Sequence, residues 1–257
     1  MDSTRTNKDN IQSLIRKFGR NSNVVRVRVD GEFPIDEDDV FITMSDINTG
    51  LNTEPMLEPV ELIELGVDVA RFGDDCTVIA PRVNNTILPL NVRNGQDTQE
   101  TADKAVAIAR QLRAEHNFTG KVYVKVDDTG VGGGVTDGIK KIKRMDDDLD
   151  WLVVAPIVFV GTFKHTHYQD FNTYLWSKLK DALSDGLIVI PNDNDLIGEL
   201  SGRKKSFTPN GRIKIESKDQ MKKRGLQSPD RGDAVALAVY YRREQTGEEK
   251  RREGKRR

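Results

Sequence analysis

The sequence predicts a mixed α/β domain: an antiparallel meander, then alternating helices and strands, with charged additions at both ends. Three observations lead there. Apolar residues alternate strand-fashion over 61–69, 76–81 and 86–92, joined by turns short enough to make an antiparallel meander the simplest connection. From residue 97 onward, helical periodicity takes turns with strand-like runs at 121–127 and 153–160. Of 257 residues, 36% are hydrophobic and 21 are glycine, enough to bury a core. No run approaches the ~18 apolar residues of a membrane span. The single cysteine, Cys76, allows no internal disulfide and no cysteine-based zinc site, which suits a reducing cytoplasm.

In chain order, Ile11, Leu14, Ile15 and Phe18 recur at helical spacing over 9–18. Val25, Val27 and Val29 alternate with Arg26 and Arg28, which predicts a strand. Pro34, Pro55 and Pro59 punctuate a connector, and the main domain is expected to run over 60–243. Residues 1–59 then form an N-terminal extension and 244–257 a disordered charged tail. Asp97-Thr-Gln-Glu100 is a capping box opening a helix whose apolar side is Ala102, Ala105, Val106, Ala109 and Leu112. Strand 121–127 leads into a glycine-rich loop and a helix to about Arg144. After the apolar strand 153–160 come an amphipathic helix over 168–183 and a short strand at 187–190. Asn210-Gly211 marks a hairpin turn. Ser228 and Pro229 are expected at the N-cap and first position of a last helix through Tyr241.

Charge is segregated. Residues 30–64 hold eleven acidic side chains and no Lys or Arg, whereas residues 201–231 hold ten basic against three acidic. The net charge of −1 is therefore a cancellation and says little against a polyanionic partner. Arg203, Lys204, Lys205, Arg212, Lys214, Lys218, Lys222, Lys223 and Arg224 make up the candidate surface for such a partner.

Carboxylates fall where stability alone would not put them. Asp68 lies in the apolar run Leu65-Gly-Val-Asp-Val-Ala70 and shares a face with Gly66 and Ala70. Asp127 ends a strand. Asp230 and Asp233 sit three apart, on one side of the last helix. Each has a structural reading: Asp68 paired with Arg71, Asp127 or Asp128 capping the next helix, Asp230 favoured by the helix dipole. Together, on two strands and a helix, they are better explained as ligands of Mg²⁺ or Mn²⁺, two ions of which can hydrolyse a phosphodiester. Other signals are weaker. The glycines after Asp128 miss the dinucleotide spacing, no P-loop occurs, and His165 and His167 read as surface residues.

Gly66-Val-Asp-Val-Ala-Arg-Phe-Gly-Asp-Asp75, Val126-Asp-Asp-Thr-Gly-Val-Gly132 and Lys218-Asp-Gln-Met-Lys-Lys-Arg-Gly-Leu-Gln-Ser-Pro-Asp-Arg-Gly-Asp-Ala234 resemble the nuclease domain of the large terminase subunit of tailed bacteriophages. Phe171-Asn-Thr-Tyr-Leu-Trp176 is also similar, and the likeness spans about 61–242. The resemblance implies an RNase H-like fold of the RuvC/integrase type, a mixed central sheet flanked by helices, here with an added basic β-hairpin. It implies a metal-dependent endonuclease that cuts concatemeric double-stranded DNA with two Mg²⁺ or Mn²⁺ ions, which makes DNA the partner of the basic surface. Carried over by motif, Asp68 bridges both metals, Asp127 and Asp233 complete one site each, and Asp230 is a fourth ligand or a water holder. Glu32-Phe-Pro resembles the segment leaving the family's ATPase domain, so such a domain is expected upstream in the same polypeptide. The portal and small terminase subunit are expected partners, and the host cytoplasm, not the mature virion, the setting. The alternatives are an actin-like or sugar-kinase-like ATP-binding domain, from the glycine-rich loop, and a non-catalytic docking module of the packaging motor.

Overall fold

A computed structural model describes residues 8–20, 22, 25–32, 39–70 and 75–240. Its centre is a six-stranded sheet built from β1 (Ile63–Asp68), β2 (Thr77–Val83), β3 (Thr86–Ile87), β4 (Asn91–Arg93), β5 (Val122–Asp127) and β6 (Leu152–Ile157). The order is β3-β2-β1-β5-β6, with β4 also on β2. β1 and β2 are antiparallel, while β5 and β6 join parallel to β1 through helical crossovers. The helices are α1 (Lys8–Phe18), α2 (Met44–Asn52), α3 (Thr98–Glu115), α4 (Gly132–Met145), α5 (Phe171–Ser184), α6 (Asn194–Gly202), α7 (Lys218–Lys223) and α8 (Asp230–Val239). The hairpin β7 (Lys205–Phe207) and β8 (Ile213–Ile215) stands apart from the main sheet.

Strand alternation sorts the core into two layers. Ile63, Leu65 and Val67 of β1 and Val122, Val124 and Val126 of β5 pack against α3 and α4. The opposite face takes α5, α6 and α8, with α1 and α2 packed outside them. Glu64, Gly66 and Asp68 point that way, as do Lys125 and Asp127. Helix α8 crosses β1 at Gly66, where a Cβ would lie 2.0 Å from the carbonyl oxygen of Ala234 and 2.4 Å from the amide nitrogen of Ala238. Only glycine lets the helix come this close. Lys125 and Arg82 donate to the carbonyls of Ala238 at 3.2 Å each, and both pair with the buried Glu64. Cations thus meet the negative end of the α8 dipole.

Several expected elements change. The alternation over 25–29 does not make a strand: Arg26–Asp30 is a π-helical turn ended by Gly31 in the left-handed region. Extended backbone needs a neighbour for its N–H and C=O groups, and here Arg20–Asp30 and Arg26–Glu32 ion pairs close the turn instead. The strand expected over 86–92 is split into β3 and β4 by Pro89, which cannot donate to a ladder. β6 stops at Ile157, leaving Val158 and Val160 exposed. Residues 187–190 contribute one bridge, from Val189 to Thr86. Helices α2, α6 and α7 were not anticipated, although Thr43/Asp46 and Ser217/Gln220 form capping boxes at the first and last of them. Ser228 does not cap α8, which begins at Asp230 without a side-chain cap from its N-cap residue. The expected tail and the Asp68–Arg71 pairing lie outside the described residues.

Candidate active site

Asp68 and Asp127 are the last residues of adjacent parallel strands, whose register pairs Val67 with Val126. Helix α8 crosses β1 so that its first turn reaches the same sheet end. Asp68, Asp230 and Asp233 are each 4% exposed. Their meeting point is the Lys218 ammonium: Nζ lies 3.2 Å from Asp68 Oδ2, 3.1 Å from Asp230 Oδ1 and 3.0 Å from Asp233 Oδ2. α7 delivers this lysine, its first turn set by Ser217. The fold thus gathers all four expected carboxylates to one sheet end and adds a cation among three of them.

Electrostatics separates the four acids. Burial pushes Asp68 well above the ordinary carboxylate range, with Asp233, Asp230 and Asp127 adding to the shift against Lys218. Burial likewise raises Asp230 and Asp127, opposed respectively by Lys218 with the Cys76 amide and by the Thr129 amide. Asp233 goes the other way. Although burial alone would raise it, Lys218, Arg203 and the Trp176 indole hold it below the ordinary range. The three carboxylates raise Lys218 well above a normal lysine despite its burial.

Supporting contacts fix the side chains. Trp176 Nε1 donates to Asp233 Oδ1 at 2.7 Å, and Arg203 Nη1 donates to the same oxygen at 3.1 Å. The Arg203 guanidinium stacks 4.4 Å over the Trp176 ring. Gly232 makes room for that ring, since a Cβ there would meet it at 2.7 Å. Cys76 N–H donates to Asp230 Oδ2 at 2.8 Å and Thr129 N–H to Asp127 Oδ1 at 2.9 Å.

The acids are hard oxygen donors of the kind Mg²⁺ and Mn²⁺ take. As the side chains stand, no three acidic, histidine or cysteine groups among the described residues converge tightly enough to hold a metal ion directly. Lys218 occupies the space between them. An ammonium centred on three carboxylates is the stand-in for a bound cation, so the donor set fits a divalent ion that replaces it. The glycine-rich loop has a different use: a Cβ at Gly132 would lie 1.6 Å from the Asp127 carbonyl oxygen, so glycine there serves strand–helix packing.

Of the basic residues expected on a DNA surface, Arg203 is not on the surface. It is 1% exposed and spent on Asp233, Trp176 and the Glu216 carbonyl. Lys218 faces the carboxylates. Lys204 pairs with Asp39, Lys222 with Asp75 and Arg224 with Glu216. Lys205, Arg212 and Lys214 lie on or beside the hairpin strands, and Lys223 is exposed on α7. The supporting role of Trp176 was not anticipated, although it closes the stretch Phe171-Asn-Thr-Tyr-Leu-Trp176 that carries part of the family resemblance.

This strand order, with acids ending its two central strands and opening the helix that crosses them, defines an RNase H-like domain. Among solved structures it is similar to the nuclease domain of the large terminase subunit gp2 of bacterial virus Sf6, with TM-score 0.64 and 14% identity over 79% of this chain and 100% of that one. A substituted form of that domain with manganese and beta-thujaplicinol gives TM-score 0.65 at 14% identity and the same coverage. The large terminase nuclease from thermophilic phage G20c with bound magnesium gives 0.53 at 17%, covering 79% of this chain and 98% of that one. The expected resemblance is therefore present in the fold. No protein-family model and no curated protein sequence matches the chain.

Proposed function

We propose that this chain is a divalent-metal-dependent endonuclease that cuts concatemeric double-stranded DNA for a phage packaging terminase, with little sequence preference. The observation that carries this reading is the convergence of Asp68, Asp230 and Asp233 on one cation, with Asp127 on the adjoining strand end. The RNase H-like sheet order and the likeness to terminase nuclease domains support it.

In this reading Asp68, Asp127, Asp230 and Asp233 would hold the two ions through their carboxylate oxygens. Magnesium or manganese, when bound, supplies the positive charge that stabilises in-line hydrolysis of a backbone phosphate. The chain supplies position. Trp176 and Arg203 hold the Asp233 carboxylate in one orientation, and Thr129 does the same for Asp127. Lys218 would yield its place among the three carboxylates to the ions, and its flexible stem would let the ammonium reach the phosphate. Lys205, Arg212 and Lys214, with Lys222, Lys223 and Arg224, follow the DNA backbone. Phosphate contacts carry no sequence information, and each adds about 0.9 to the log–log salt slope. An upstream ATPase domain, the portal and the small subunit complete the machine, in the host cytoplasm.

The test is plasmid cleavage with Mn²⁺ or Mg²⁺ by the wild type and by Asp68→Ala, Asp127→Ala and Asp233→Ala. Cutting by the wild type and its loss in all three variants is expected. Undiminished cutting in the three refutes the site.

A further inference from the structure

Helix α8 carries two of the four carboxylates, yet no side chain from its own N-cap residue caps it. The orphan amides of Arg231 and Gly232, between Asp230 and Asp233, are taken from outside. Both donate to Glu199 Oε2 of α6, at 2.7 and 3.0 Å. Its other oxygen, Oε1, accepts from Arg231 Nη1 at 3.0 Å. Glu199 is 6% exposed. Burial pushes its carboxyl up to about 8, against the pull of Arg231 and the Gly232 amide.

The contacts continue outward. Arg231 Nη2 reaches Asp195 Oδ2 at 2.9 Å, and the same oxygen takes Lys17 of α1 at 2.6 Å. Phe18, the next residue, lies against Gly198, where a Cβ would meet its ring at 2.2 Å. An uninterrupted line of ion pairs and packing therefore leads from α1 through α6 to the first turn of α8. A buried carboxylate receiving two consecutive helix amides fixes both the height and the rotation of that turn.

We infer that Glu199 is a positioning residue for the metal site: through it, α6 and the N-terminal helix α1 set where Asp230 and Asp233 stand relative to Asp68. The inference rests on the proposed reading of these acids as metal ligands. Glu199 touches neither metal nor DNA; it acts through the backbone of the ligand-bearing turn. Truncation leaves two amides and Arg231 Nη1 without their acceptor, and the turn relaxes away from β1.

The experiment uses the full chain and the variants Glu199→Ala, Glu199→Gln and Lys17→Ala. For each, Mn²⁺ is titrated against thermal unfolding without DNA, and against the rate of plasmid cleavage. Outer partners of metal ligands typically change metal affinity about 10–100-fold. Glu199→Ala is expected to raise half-saturating Mn²⁺ at least about tenfold in both titrations. Glu199→Gln keeps one acceptor oxygen and recovers most of the loss. Lys17→Ala, remote from the acids, shifts the same midpoint a few-fold with its rate at saturating Mn²⁺ unchanged. Wild-type midpoints in folded Glu199→Ala overturn the inference. If that variant does not fold, wild-type midpoints in both Glu199→Gln and Lys17→Ala overturn it. A wild type that neither binds Mn²⁺ nor cuts fails differently: it removes the functional reading, and this inference with it.

Discussion

Gly66→Ala tests the whole argument with one methyl group. The added Cβ would sit 2.0 Å from the Ala234 carbonyl oxygen and 2.4 Å from the Ala238 amide nitrogen, with the Leu237 Cβ at 3.0 Å. The first two are helix backbone, so no rotamer change relieves the clash. Helix α8 must retreat from β1 by roughly 1 Å to restore van der Waals contact. Overpacking of this kind costs about 1–3 kcal/mol. At roughly 2–4 °C per kcal/mol for a domain of this size, Tm falls by roughly 2–12 °C. The retreat also carries Asp230 and Asp233 away from Asp68, and a misplacement near 1 Å can cost about 100-fold in rate. Thermal unfolding and initial rates of plasmid linearisation with saturating Mn²⁺ read the two effects separately. The expected variant is folded, moderately destabilised and severely impaired in cutting. Wild-type Tm together with a wild-type rate would refute the claim that the approach of α8 at Gly66 sets the site.

Three further outcomes follow from the same geometry. Lys218→Ala leaves three carboxylates without their shared cation; its side chain as a whole is about one-third exposed, so the metal-free loss is about 1–3 kcal/mol, below that for breaking a fully buried pair. Mn²⁺ should raise its Tm more than it raises that of the wild type, and an equal rise would show that Lys218 does not occupy the cation's place. Trp176→Phe removes the indole donor to Asp233 and should cost about 2–3 kcal/mol of stability, with slower cutting; a near-native Tm and rate would leave the indole without a role. Glu199→Gln bears on pH: the wild-type carboxyl rises from 4.5 to about 8 on folding, so its contribution is full below pH 4.5 and is lost as pH rises through about 8. The Tm of the wild type should therefore decline relative to Glu199→Gln between pH 5 and pH 8, and parallel curves would contradict this.

Local pattern carried a large part of the fold. The two-residue alternation of Leu65 and Val67 against Gly66 and Asp68 places Asp68 on the interior face opposite α3 and α4, where the structure has it. The Asp97–Glu100 capping box opens α3 as expected, and Asn210-Gly211 turns the hairpin. Where local signals misled, another requirement prevailed. The alternation of Val25, Val27 and Val29 had no neighbouring strand to pair with, Pro89 broke a ladder, and Glu199 on α6 took the capping work expected of Ser228.

The sequence by itself determined which carboxylates were out of place and on which elements they sat, because burial periodicity and turn chemistry act over a few residues. Only the tertiary structure decided what stands beside them. Lys218 lies 150 positions from Asp68, and Trp176 lies 57 from Asp233. Arg203 reads in sequence as one more member of a basic surface, yet it is buried against Asp233 and Trp176. Such contacts arise when Gly66 lets α8 onto the sheet and α5, α6 and α7 close around it. The pairings carry no local mark because low-dielectric pairing rewards proximity in space, whatever the separation along the chain.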